Sequence, residues 1–233
     1  MKHNLNTKGF TLIEMAVVLV IIGLILAAVM KGKDMIRNAQ VREFTDNFVL
    51  AWEDIVYSYY DKKSQVLADG KDNGGNSTLS ADGFFDDIIP ASSSSSNVRE
   101  NIVNATQAVG IDPCGIVKSD MEYSPSGGWN VSDPQTCGGI DVFQRTVAGE
   151  YKKSQVKVGF YSATTPLGTK NVLFFFNVPA DVARGIDSAI DGHIGPNVGK
   201  VLKCDSATNC NSTSKWSNPT GGTTDNLGVV IDF

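Results

Sequence analysis

Residues 10–30 read FTLIEMAVVLVIIGLILAAVM, a run of 21 residues in which Thr11 and Glu14 are the polar exceptions. As an α-helix this stretch spans about 31 Å, close to the ~30 Å hydrocarbon core of a bilayer. The residues ahead of it, MKHNLNTKG, are polar and carry Lys2 and Lys8, and Lys31 and Lys33 close the far end. An ordinary secretory signal has a shorter apolar region, ~7–15 residues, followed by a small-x-small cleavage site. Here the pairs near the end of the run, Leu26/Ala28 and Met30/Gly32, each lack one small residue. A plain membrane anchor explains the length but not Glu14. A charge in mid-helix costs on the order of 3 kcal/mol to insert, so an intramembrane carboxylate points to a function and to a partner.

Lys8-Gly9-Phe10-Thr11-Leu12-Ile13-Glu14 resembles the prepilin motif of type IV pilins and type II secretion pseudopilins. The resemblance implies that a prepilin peptidase cuts between Gly9 and Phe10 and methylates the new amine of Phe10. It also implies that Glu14 pairs with the Phe10 amine of a neighbouring subunit, which sets a fixed axial step. The physics agrees, because each buried charge is costly alone and is compensated when paired. Many pilus pilins bend this helix with a proline near the end of the apolar segment. Here Met30-Lys31-Gly32-Lys33 stands in that place, so any melting inside a filament is expected near Gly23 or Gly32. The stretch Gly23–Arg37 also resembles a group of pseudopilin-like proteins, and Val178–Val201 resembles the C-terminal part of the same group.

Beyond the apolar run, no Pro or Gly occurs from Lys33 to Lys62. Ile36, Val41, Phe44, Phe48, Trp52, Ile55 and Tyr59 fall at helical spacing, so one helix is expected from Phe10 to about Lys62, some 80 Å long. Its first half, residues 10–30, is apolar all round, and its second half, 31–62, buries one stripe. Residues 63–233 then form a globular α+β head. The polar loop 69–83 opens it. Asp69–Gly74 weakly resembles a calcium loop, with Asp69 and Asn73 as candidate ligands. Lys71 stands where a ligand belongs, and Ser80 where the bidentate Glu belongs.

Phe84–Ile89 is an apolar island expected against the long helix, and Ser92–Ser96 a solvated linker. Asn97–Val109 suits a helix capped by Asn97 and ended by Gly110. Strands are expected at Gly139–Val147, Gln155–Tyr161, Asn171–Val178, Gly199–Cys204 and Gly228–Asp232. Phe174–Phe176 marks a central strand covered on both faces. Pro179–Ile190 reads as a helix on which Asp187 and Asp191, four apart, share one face. They are a second weak calcium candidate, and the plainer reading is a solvated helix face. A long N-terminal helix packed on an antiparallel sheet resembles the pilin fold.

Composition narrows the chemistry. The chain has 233 residues, 20 Lys+Arg, 25 Asp+Glu and a formal charge of −5. Loss of Lys2 and Lys8 with the leader takes the charge to −7, against the basic surface that a nucleic-acid binder needs. Of two histidines, His3 and His193, the second alone survives removal of the leader. Ser-His or Cys-His catalysis would have to rest on that residue, so an enzyme is not expected. No cofactor is implied, and no metal beyond the weak calcium candidates. The cysteines are Cys114, Cys137, Cys204 and Cys210, without a CxxC pair. An even count in an exported chain suits disulfides, with three connectivities open. Nearness in sequence favours Cys204–Cys210 and Cys114–Cys137.

The sequence therefore reads as a filament subunit, held in a bacterial inner membrane before assembly and in a periplasmic pseudopilus or surface pilus afterwards. Its implied partners are other pilin or pseudopilin subunits, the prepilin peptidase, a membrane assembly platform and that platform's ATPase. A pseudopilin or minor pilin is favoured. The alternatives are a major pilin of a type IV pilus and an adhesive or DNA-capturing minor pilin.

Overall fold

The computed structural model describes residues 11–76, 79–87, 96–117, 122–124, 128–130, 139–145, 151–219 and 221–233. Gly9, Phe10, Cys137, Ile88, Ile89 and most of the Ser92–Ser96 stretch lie outside them. By its contacts the chain divides into two compact units, residues 1–40 and 41–233.

In the first unit the described residues form helix α1, which begins at Leu12 and is assigned to Phe44. It passes through Gly23 and Gly32 unbroken. Every side chain from Leu12 to Met30 is exposed, including Leu12 at 92% and Met30 at 71%.

In the second unit the helix continues through a π-helical turn, Thr45–Leu50, into α2, Ala51–Lys63. The steps Phe44→Phe48→Trp52 are both four residues. In an α-helix each would rotate the stripe about 40° off the core. A π turn takes more residues per turn and keeps Phe44, Phe48 and Trp52 buried on one side. Thr45 supports the irregular turn by donating its hydroxyl to Val41 O at 2.8 Å. The helix ends at Ser64, which is left-handed at φ 53°.

The remaining elements are α3 (Ser96–Ala108), the short α4 (Pro113–Ile116), β1 (Glu122–Ser124), β2 (Gly128–Asn130), β3 (Gly139–Arg145), β4 (Tyr151–Thr165), β5 (Gly168–Pro179), α5 (Ala180–Asp191), β6 (Val201–Cys204) and β7 (Thr224–Ile231). Strands β1 and β2 form a small hairpin. The others form one antiparallel sheet in the order β3-β4-β5-β7-β6. The fold is thus α+β and pilin-like, with a long N-terminal helix and a five-stranded antiparallel sheet.

Strand β5 lies in the middle, and its alternate residues enter two apolar layers. Leu173 and Phe175 face the helix side with Phe48, Trp52 and Phe160, where Trp52 meets Phe160 edge-on at 5.7 Å and Phe48 meets Phe175 at 5.9 Å. Val172 and Phe174 face the opposite layer with Tyr161, Leu202, Cys204 and Cys210. Phe85 packs on Phe160 at 5.5 Å, and its amide donates to Asn171 Oδ1 at 2.8 Å, so the apolar island is fixed to the sheet.

Gly185 lies in the middle of α5, where glycine ordinarily costs about 1 kcal/mol relative to alanine. Here a Cβ would stand 2.5 Å from Val41 Cγ1, a buried β-branched side chain with little freedom to yield. Gly185→Ala is therefore expected to destabilise the head by ~1–2 kcal/mol, the overpacking outweighing the gain in helix propensity. Gly32→Ala, with nothing within 4 Å, serves as the open control. Thermal unfolding of the two variants checks the difference. A rise in Tm for Gly185→Ala would mean that Val41 moves aside freely.

Candidate functional site

The N-terminal site begins at the first described residue. Glu14 Oε2 accepts from Thr11 N at 2.7 Å and from Thr11 Oγ1 at 2.8 Å, while Glu14 N donates to Thr11 Oγ1 at 3.3 Å. This is a reciprocal capping box, set by the T-x-x-E spacing, and it satisfies backbone donors that no preceding turn can serve. In the single chain the Glu14 carboxylate is therefore held by its own helix end and is exposed. Directly after it comes the belt of exposed aliphatic side chains to Met30. Among the described residues this is the one helix long and apolar enough to cross a membrane. A surface of that extent, apolar on every side, is stable only in lipid or against other apolar surfaces.

The head holds the other sequence candidates. Asp69 accepts from the amides of Asp82 at 3.0 Å and Gly83 at 2.7 Å. Asn73 donates to Asp69 O at 2.8 Å and accepts from Tyr59 OH at 3.0 Å. Asp86 Oδ2 receives the amides of Gly70 and Asn76. These groups fold the loop after α2 back on itself.

Asp187 and Asp191 do share a face, but the reading of that face as solvated is corrected. Asp187 is fully buried, because it follows Ile186 and lies four residues after Ala183 on the buried stripe of α5. Its Oδ2 accepts from Trp216 Nε1 at 2.7 Å and Gly195 N at 2.8 Å. Asp191 receives Lys200 N at 3.0 Å and Val201 N at 2.8 Å. Burial pushes the Asp187 carboxyl above the usual range. Its two donors and His193 oppose that shift, and Asp191 adds to it. Among the described residues no three His, Cys, Asp or Glu side chains converge as a metal cluster.

Cys204 and Cys210 are joined in a disulfide, both buried in the second apolar layer. Cys114 is also disulfide-bonded. Sequence reasoning missed two ion pairs in the head. Lys200 pairs with Glu53 of α2 and lies 5.9 Å from the Tyr57 ring. Lys203 pairs with Asp225 at 3.1 Å, both nearly buried, and Asp225 also accepts from Ser217. No local pattern carries these pairs, whose members are far apart in the chain. The burial of Asp187 did have a signal, its place on the Val182–Ile186 stripe.

Residues 4–30 match the family described as the prokaryotic N-terminal methylation motif, the signal motif of type IV pilins and pseudopilins. No curated protein and no solved structure matches the chain.

Proposed function

We propose that this chain is a structural subunit of a type IV pilus-like or type II secretion pseudopilus filament, as a pseudopilin or minor pilin. The observation that carries the reading is the methylation motif at residues 4–30, continuous with a helix whose apolar side chains from Leu12 to Met30 are all exposed. In this reading the peptidase cuts after Gly9 and methylates Phe10. The helix holds the subunit in the inner membrane with its head outside the cytoplasm. Assembly on the membrane platform, driven by its ATPase, transfers the helix from lipid to a bundle of like helices. Apolar residues remain buried throughout, so packing and the Glu14–amine pair decide the outcome more than the area buried. The 69–87 loop and the 187–201 face act as structural ties, with no cofactor required.

Mass spectrometry of the chain from its native membrane tests this. The expected mature species begins at N-methylated Phe10. A mature terminus beyond residue 27 would indicate ordinary signal peptidase and sink the reading. Electron microscopy of sheared cell surfaces distinguishes a long pilus from a short periplasmic filament.

A further inference from the structure

We propose that Gly32, Met35 and Ile36 form a contact strip for the N-terminal helix of a neighbouring subunit, a strip that the membrane leaves in water and assembly buries. The inference rests on the filament reading above. Lipid and a helix bundle cover residues 12–30 alike, so that belt gains little apolar burial when the subunit leaves the membrane. Met35 and Ile36 differ. They are 72% and 62% exposed. Along the helix they stand about 8–9 Å beyond Met30, past the ~5–7 Å of headgroup that flanks the hydrocarbon core on each side. Lys31, Lys33 and Asp34 separate them from the belt. A subunit held in the membrane therefore keeps both side chains in water, and only protein can cover them.

Their place on the helix says which protein. At about 100° per residue, Gly32 falls on the same line along the helix as Glu14, with Ile36 about 40° to one side and Met35 about 60° to the other. Lys31 and Lys33 fall about 100° to either side of that line, and Asp34 and Arg37 roughly 140–160° from it. The face that carries Glu14 is thus continued beyond the membrane by one glycine and two apolar residues, with the charged positions at its flanks and back. Glu14 meets the Phe10 amine of the neighbour along this face. A parallel helix offset by those four residues brings the end of its own apolar belt, residues 28–32, level with residues 32–36 here. A Cβ on Gly32 would have nothing within 4 Å, so the neighbour's backbone has room to approach. Assembly then removes from water two side chains that lipid cannot reach, which favours extraction from the membrane.

The test uses the full chain in its own cells. Ile36→Cys is probed with a membrane-impermeant maleimide in two states, in spheroplasts lacking the assembly ATPase and in sheared filaments. The expected result is rapid labelling in the membrane and labelling at least ~10-fold slower in the filament, while Asn38→Cys, about 120° from the Glu14 line, labels in both. Slow labelling already in the membrane would mean that lipid or the chain itself covers the site. Fast labelling in the filament would mean that no neighbour covers it, and equal protection of both positions would remove the assignment to the Glu14 face. Each of these overturns the strip. Met35→Gln/Ile36→Gln retains good helix formers, and it is expected to be cleaved and membrane-held as wild type but at least ~10-fold depleted in filaments. Met35→Leu/Ile36→Leu is expected to assemble normally. Normal assembly of the Gln pair alongside wild-type filaments sinks the strip and leaves the filament reading standing. A wild type with neither filaments nor a terminus at N-methylated Phe10 sinks both.

Discussion

Glu14→Gln is expected to give a protein that is made, cleaved and held in the membrane at wild-type level but enters filaments at least ~10-fold less. The structure makes this the informative substitution. Glutamine can still close the capping box with Thr11, so the helix end survives. What it loses is the charge, the one property needed to pair with a Phe10 amine of another subunit. Leaving one member of a buried ion pair without the other costs ~3–5 kcal/mol, and tenfold in an equilibrium needs only ~1.4. Glu14→Ala removes both charge and box, and it eases insertion of the isolated helix by a few kcal/mol. The two roles therefore separate. If the carboxylate sets the register between subunits, both variants fail to assemble while remaining processed. If its role is only to cap the helix, Gln assembles normally and Ala does not. Incorporation is measured as crosslinked or sheared filament against total processed protein. Normal incorporation of both variants would show that Glu14 is not a register device.

The legible part of this molecule was what local spacing controls. The apolar run, the prepilin-like motif and the 3–4 periodicity of Val41–Tyr59 gave the long helix. The π turn was not legible, because the apolar steps from Val41 to Tyr59 average the 3.6 residues of an ordinary α-helix. All five strands of the main sheet were placed, but β4, β5 and the start of β7 extend beyond the expected bounds, while β6 begins two residues later than expected. Tyr151–Ser154 of β4 pairs with Val142–Arg145 of β3, and Thr224–Asp225 of β7 pairs with Val178–Pro179 beyond an irregularity in β5. Neither piece has the alternation that marks a half-buried strand, because its pairing is set by neighbours distant in the chain. The hairpin of β1 and β2 has strands of three residues each, too short for a pattern. The head's ties failed for the same reason. Asp187–Trp216 and Lys200–Glu53 join residues 29 and 147 positions apart, so only the folded chain reveals them.

Gly228→Ala is expected to lower the stability of the head by ~3 kcal/mol, although glycine inside a strand is ordinarily the worse residue by ~0.5–1. Gly228 pairs with Phe174 on one side and Leu202 on the other, in the middle of the sheet. A Cβ there would stand 2.6 Å from Val172 Cγ1, 2.8 Å from Cys204 Sγ and 2.9 Å from Cys210 Sγ. The two sulfurs are bonded to each other and cannot rotate away singly. Their loop is also fixed to β4, with Thr164 N donating to Thr208 O and Cys210 N donating to Thr164 O. The missing side chain is thus the space the disulfide occupies. For a chain of this size the loss corresponds to a fall in Tm of roughly 6–12 °C. A double-mutant cycle isolates the cause. In a Cys204→Ala/Cys210→Ala background both sulfurs are gone and Val172 remains, so the same substitution should cost less than half as much. An equal cost in both backgrounds would place the clash on Val172 alone. A gain in stability on the wild-type background would show that the sheet opens to admit the methyl group, and that the fit of disulfide to glycine does not hold this layer together.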